Sequence, residues 1–502
     1  MVVITGQEFI TSLTAAVQFI SHTHPKDFVA YLHQAYLNEQ NAAAKSAIRQ
    51  ILINSRMSML GRRPICQDTG VVNVMLKVGM DVRWDTDLPP EEMVNLAVAK
   101  AYCDEVNPLR ASMVMDPIGR RLNTQNNTPA MTHIELVPGA SVEVHVVAKG
   151  GGSENKTKFE VLLPGGNIAD WVVRQVEHMG AGWCPPGVLG IGVGGTVERS
   201  MLLAKMALLD PLDMQQLQMS GATTAEDELR LEIFERVNAL GIGAQGIGGT
   251  TTVLDVKVKS SPTHAASMPV SLIPNCAANR HISFKLDGTG APEFDPPDPS
   301  DWPDIVEDEI AKTIRSVNLN TLTREEIGSW KFGDQFLLNG TLITGRDAAH
   351  RRLCEMIDAG QELPVNLDGK MIYYVGPVDP VGDEVVGPAG PTTATRMDPF
   401  TETMLRETGL MGMIGKAERG PAAIEAIKKH KAISLVAVGG AAFLISKSIR
   451  FSKIIAFADL GMEAMREFEV VDMPVTVGVD ARGKSLHVEG PRLWASPITH
   501  AD

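Results

Sequence analysis

PEFDPPDPSDWPD, residues 292–304, is the stretch that divides this chain, with five prolines and five acidic residues in thirteen positions. Proline fixes φ and removes a backbone donor, so no regular element survives that density. The stretch reads as a linker or a connection wrapped on the surface. Before it, apolar residues recur at three and four through QEFITSLTAAVQFISH, KDFVAYLHQAYLNEQ and AAAKSAIRQILINSRMSML, which predicts helices between 7 and 57. VVNVMLKVG at 71–79 reads as a strand, Pro89-Pro90-Glu91-Glu92 opens a helix through about Val106, and MTHIELVPGASVEVHVVAK at 131–149 alternates as a hairpin. Helices are expected at 168–179, 196–209 and 225–239, and a strand at 251–259. Beyond the stretch the units shorten: KMIYYVGPV, AISLVAVGG running into AAFLISKSI, IIAFADL, then VTVGVDARGKSLHVEG, read as a hairpin turning at Asp480–Gly483. Strand, glycine pair, helix and strand suggest an α/β layer. The expected fold is mixed α/β in two domains: a larger α+β N-terminal domain at 1–290, a linker at 291–304, and a smaller α/β C-terminal domain at 305–502.

The chain has 502 residues, 44% hydrophobic and 21% charged, an ordinary globular composition. Its net charge of −14 repels polyanions, so nucleic acid is an unsuited partner. No apolar run is long enough to span a bilayer, and MVVITGQEFITSL has neither a basic segment before an apolar one nor an Arg-rich transit pattern, so a cytoplasmic protein without membrane contact is expected. Five cysteines are an odd, sparse set that suits a reducing compartment.

The chemistry concentrates in Arg62-Arg63-Pro64-Ile65-Cys66-Gln67-Asp68-Thr69-Gly70. A thiol, an amide, a carboxylate and a hydroxyl stand in four consecutive positions, between Pro64 and Gly70. Cys184, before Pro185-Pro186-Gly187, and Cys276, after Pro274-Asn275, also sit in turns, whereas Cys103 and Cys354 fall in helical patterns and are assigned to packing. Two segments, Gly190–Gly195 and Gly241–Gly246, match G-x-G-x-x-G, which would suit an NAD-dependent oxidoreductase. Neither has the strand-then-helix context that motif needs, so the glycines are read as close backbone packing around the cysteines.

ICQDTG at 65–70, KGGGSENK at 149–156, GWCPPG at 182–187, IPNCAANRHISF at 273–284, GRDAAH at 345–350 and PTTATRMD at 391–398 run through most of the chain in one order. In these motifs the sequence resembles the class I, iron-sulfur-dependent fumarate hydratases, and more broadly the family that also holds L-tartrate dehydratase. The resemblance implies a [4Fe-4S] cluster on Cys66, Cys184 and Cys276, with one iron lacking a protein thiolate. An open iron suits a hydro-lyase, since a fully ligated cluster could only move electrons. It also implies substrate contacts from Gln67, Arg110, Gly151, His264, Arg346, Arg396 and Lys416, with Asp68 and Thr392 as catalytic residues. The expected enzyme is an oxygen-sensitive homodimer of the tricarboxylic acid cycle that hydrates fumarate to (S)-malate in a cleft between its domains. The alternatives are L-tartrate dehydratase or a related dicarboxylate hydro-lyase, and more remotely an iron-sulfur sensor.

Overall fold

The computed structural model describes residues 2–303 and 314–496, so Asp304 at the end of the expected linker lies outside them. Ten strands precede the connector: β1 Val2–Thr5, β2 Val71–Gly79, β3 Val82–Asp85, β4 Met131–Val137, β5 Val142–Lys149, β6 Lys158–Leu162, β7 Gly187–Gly194, β8 Val253–Ser261, β9 Met268–Asn275 and β10 His281–Leu286. They form a pair β1-β3 and two four-stranded sheets, β10-β5-β2-β4 and β6-β9-β7-β8. Helices Gly6–His22 and Pro90–Tyr102 pack together beside the first sheet, the former capped by the Thr5 hydroxyl, which accepts the Glu8 N–H at 3.0 Å.

Two features of this half correct the sequence reading. Residues 131–149 are not a hairpin, because β2 lies between β4 and β5, pairing parallel with the first and antiparallel with the second. The nearly continuous apolar run of β2 is buried and takes neighbours on both edges, leaving the mostly exposed β4 at the sheet margin. The helix expected to reach Val106 stops at Tyr102, because the Asp104 carboxylate accepts the N–H groups of Val106 and Asn107 in a turn. Cys103 is therefore exposed at the helix end rather than packed.

After the connector come β11 Arg315–Asn318, β12 Gln335–Thr344, β13 Met371–Tyr373, β14 Gly412–Gly415, β15 Ile433–Val436, β16 Ile449–Ala456 and β17 Met465–Val479. Strands β11 to β15 run parallel in order, with helices Asp347–Asp358, Asp398–Thr408 and Pro421–Lys429 among their crossovers. β17 then pairs antiparallel with β15 and, along most of its length, with β12, closing a circuit of five strands. The hairpin expected at 475–490 is only half present: Asp480 caps the turn by accepting from Arg482 and Lys484 N–H, and the second arm is the helix Leu486–Trp494.

The halves share one core. Helix Ala42–Gly61 packs on helix Ala442–Ser448, and buried Asn54 joins them, accepting from Phe443 and Leu444 N–H at 2.8 and 2.9 Å and donating to the Ile65 and Gly440 carbonyls at 3.0 Å each. The connector holds one helical turn, Pro299–Asp301, after which buried Trp302 donates its indole N–H to Ser55 at 2.9 Å. Its described residues lie on the first half, through Trp302 on Ser55 and Phe294 on Phe19.

Candidate active site

Helix Ala42–Gly61 ends with Arg62 in the left-handed region (φ 49°), which turns the chain into the Cys66 segment. Buried Arg63 ties this segment to both halves, donating to Asn107 Oδ1 and to Glu384 Oε1 at 3.0 Å each and to the Asp379 carbonyl at 2.8 Å. Gln67 donates its amide to the Pro391 carbonyl at 3.1 Å, one residue from Thr392. Cys184 has φ 60°, and its carbonyl accepts the Ala277 N–H at 3.1 Å, so the turns carrying Cys184 and Cys276 are bonded together.

Into this gathering the second half sends Lys416, whose buried Nζ lies 3.0 Å from Cys184 Sγ. Burial alone would favour loss of its proton, but the fields of Cys184, Cys66 and Cys276 as thiolates and the bond to Cys184 hold its pKa above the ordinary lysine value. Burial pushes the Cys184 thiol up to about 11 and raises Cys66 as well, with Lys416 opposing both. Among the described residues no three His, Cys, Asp or Glu side chains close on one point tightly enough to hold a single metal ion.

Gln245 closes this end. Its amide donates to the Pro185 carbonyl at 2.9 Å and the Gly439 carbonyl at 3.2 Å, while its oxygen accepts the Gly439 N–H at 2.7 Å. Gly439 has no room for a side chain: a Cβ there would stand 2.7 Å from Cys184 Sγ and 3.1 Å from Lys416 Cδ. Cys184, Gln245 and Ala417 all have positive φ without being glycine, a concentration of backbone strain found at functional sites.

Asp68 faces the other way. Its Oδ2 accepts the Gly151 N–H at 2.8 Å, and its backbone carbonyl accepts from buried Arg280 at 2.7 Å. Burial raises its pKa, yet Arg110, Arg280, Lys416 and the Gly151 N–H outweigh burial and hold the carboxyl below its usual value. Arg110 donates to the Gly376 carbonyl at 2.7 Å, and a Cβ on Gly376 would lie 2.7 Å from Arg346 Nη1, so two guanidinium groups converge on one glycine. Burial, then the nearby Arg110 charge, push Arg346 down to about 10. The Nε atoms of Arg110 and Arg346 are buried without a partner.

Thus Cys66, Gln67, Asp68, Arg110, Gly151, Cys184, Cys276, Arg346, Thr392 and Lys416 come together. Thr392 is buried, its N–H bonded to the Tyr374 carbonyl at 2.7 Å and its carbonyl to the Lys416 N–H at 3.0 Å. Arg396 is half exposed and forked onto Asp347 at 3.0 and 2.6 Å. The Gly151 N–H is engaged with Asp68 rather than free for a ligand. His264 stands apart within the chain, on the exposed turn between β8 and β9, where its ring accepts the Ala266 N–H at 3.1 Å.

Sequence reasoning overlooked Arg280, Lys149 and Gln245. Lys149 donates to the Pro274 carbonyl at 2.6 Å, bracing the strand end before Cys276, and burial pushes its pKa down to about 8. All three stand in stretches already marked as motifs, where a polar residue among glycines or beside a cysteine was the available signal. The two glycine motifs divide: Gly190 and Gly192 lie within β7, where Cβ atoms would strike the Ala204 and Ser200 carbonyls, so they seat a helix rather than line the thiols. Only the second motif reaches the cysteines, through Gln245.

Residues 10–285 match the family described as fumarate hydratase (Fumerase), and residues 288–490 match Fumarase C-terminus. The chain belongs to the fumarate hydratase family. It is 33% identical over 480 residues to the anaerobic class I fumarate hydratase of Escherichia coli K12, covering 92% of this chain and 86% of that one. With a putative class I fumarate hydratase of Geobacillus stearothermophilus it shares 31% over 496 residues, 92% of each. A putative L(+)-tartrate dehydratase subunit alpha of Methanocaldococcus jannaschii matches at 34% over 273 residues, covering 52% of this chain and 93% of that subunit. Within the family the likeness is to the class I, single-chain enzymes, and the protein is a lyase. No helix among the described residues is long and apolar enough to cross a membrane.

Proposed function

We propose that this lyase interconverts (S)-malate and fumarate where its halves meet, with Cys66, Cys184 and Cys276 as thiolate ligands of a [4Fe-4S] cluster. The observation that carries the proposal is the convergence of three thiols from three separate turns with Lys416 and Asp68 in one largely buried place. Thiolates are the donors that iron-sulfur clusters take, and three of them leave a fourth iron open. When bound, the cluster supplies a Lewis acid at that iron.

The chain's own residues supply the rest. Asp68, held ionised by its cationic neighbours, takes the proton of the adding water and returns it in the reverse direction. The Thr392 hydroxyl is assigned to the proton on the neighbouring carbon. Threonine is a weak base, and its deprotonated form needs a cation; Lys416, whose backbone N–H bonds the Thr392 carbonyl and whose ammonium lies against Cys184, is the one assigned to it. Arg110 and Arg346 offer guanidinium N–H groups to substrate carboxylates, Arg396 adds positive charge although its Nε and Nη2 are forked onto Asp347, and Gln67 and Lys416 complete the contacts. His264 lacks that support within one chain. We also keep a cytoplasmic homodimer as part of this reading.

Protein purified without oxygen is expected to form fumarate from (S)-malate and to lose that turnover after brief exposure to air. A preference for L-tartrate would favour the second reading, which rests on the likeness of the first half to the tartrate dehydratase subunit. Turnover indifferent to air and to cluster loss would overturn the cluster assignment.

A further inference from the structure

Three guanidinium groups and two carboxylates meet at the arginine end. Arg396 is forked onto Asp347, and Arg346 Nη2 lies 3.4 Å from Glu463 Oε1 and 3.9 Å from Asp347 Oδ2. The other Glu463 oxygen accepts the Ala348 N–H at 2.8 Å, at the start of helix Asp347–Asp358. Glu463 is thus fixed between a helix N-terminus and a buried arginine, at the end of the turn Ala458–Glu463. Arg110 comes to the same place from the first half through the Gly376 carbonyl, with the Asp68 carboxylate as its nearest opposing charge. Both buried Nε–H groups stay unbonded, so Glu463 and Asp347 hold Arg346, and the Gly376 carbonyl holds Arg110, without consuming the whole donor edge of either.

We propose that Glu463 is a positioning residue of the substrate site that acts through Arg346. It holds that guanidinium and, with Asp347, offsets the charges of Arg346 and Arg396, while Arg110 is faced by Asp68. The proposal rests on reading Arg110, Arg346 and Arg396 as the carboxylate cradle. Three unopposed arginines would grip a dianion in its ground state and on release as strongly as in the transition state, and such uniform binding lowers KM without raising kcat.

The test uses cluster-loaded enzyme kept from oxygen, with succinate as an unreactive dicarboxylate probe and (S)-malate as substrate. Glu463→Gln is expected to lower the succinate inhibition constant and the malate KM by about three- to tenfold at low ionic strength, an effect that shrinks with added salt, with kcat unchanged or reduced. Glu463→Asp keeps the charge and should stay near the parent. Asp347→Asn, acting through Arg396, should tighten succinate in the same sense, which keeps the test alive if Glu463→Gln folds poorly. Unchanged or weaker succinate binding in the folded neutral variants overturns the proposal, because a residue that merely props its loop would weaken binding when lost. Arg346→Ala separates the two levels. If it leaves succinate binding unaltered, the cradle reading fails and this proposal with it; if it weakens binding while the neutral variants do not tighten it, only the charge offset is wrong.

Discussion

Around Cys184 most polar groups of the two halves are spent on each other, the buried Trp183 indole N–H being the exception. Gln245 uses both ends of its amide on Gly439 and Pro185, and Lys416 lies against the thiol. Around Arg346, by contrast, buried N–H groups stay unbonded, Arg396 is half exposed, and charge is balanced by acids across longer contacts. The thiol end is closely packed at Gly439, where an added methyl meets Cys184 Sγ and Lys416. The arginine end is an electrostatic arrangement with open bonding capacity, which is what a site for an exchangeable anion requires. Proton transfer by Asp68 and Thr392 is assigned to the seam between them.

The largest effect expected from breaking this contrast is at a thiol. Cys184→Ser should reduce turnover below detection and lower iron and sulfide content with it, both measured without oxygen. At the seam, Thr392→Ala should cut kcat by about 10²- to 10⁴-fold while succinate inhibition and cluster content stay near the parent values. Substantial residual turnover would remove Thr392 from its assigned role.

A matched pair of substitutions sharpens the comparison. Gly439→Ala forces a methyl to 2.7 Å from Cys184 Sγ and 3.2 Å from Gln245 Oε1, and should cost about 1–3 kcal/mol of stability and impair cluster retention. Gly376→Ala meets Arg346 Nη1 at 2.7 Å and the Met462 carbonyl at 3.1 Å, displaces that guanidinium, and should raise KM about tenfold, roughly one charge-assisted hydrogen bond, with iron content unchanged. If the two variants behaved alike in melting and in KM, the distinction between the ends would fall.

The smallest effect concerns pH. His350 is buried behind Arg346, its Nδ1 2.8 Å from the Arg346 carbonyl, and burial pushes its pKa down to about 4. Between that value and an unfolded-state value near 6.5 the unfolded chain binds the extra proton, so stability falls as pH drops through this window. His22, pushed to about 4, and His24, pushed to about 3, share the slope. His350→Gln should therefore remove only part of the fall in urea midpoint between pH 7 and pH 5.

The helices were largely legible in the sequence, because their apolar period is a property of each segment alone. Strand partners were not. Alternation in 131–149 marks two strands but cannot say that β2 will come between them, since pairing is decided by a distant run that needs two edges covered. The same limit hid the closure of β17 on β12. At the site, the motifs marked the segments, and the resemblance rather than local chemistry marked most residues within them. Gln245 escaped because its role exists only once Gly439 arrives from the far half, and Glu463 because it acts through another side chain.

The bond from Asn54 to the Gly440 carbonyl bears on how the protein is born. Asn54 and Gly440 are 386 positions apart, and the helix that leads into the Cys66 turn, packed on one side by residues 26–38, finds a second packing partner only near the end of the chain. At about 5–20 residues per second, a ribosome takes roughly 20–80 s to supply that partner after Asn54 is made. Until then the Cys66 turn lacks its roof, and the nascent chain presents the unburied face of its third helix to chaperones and to solvent.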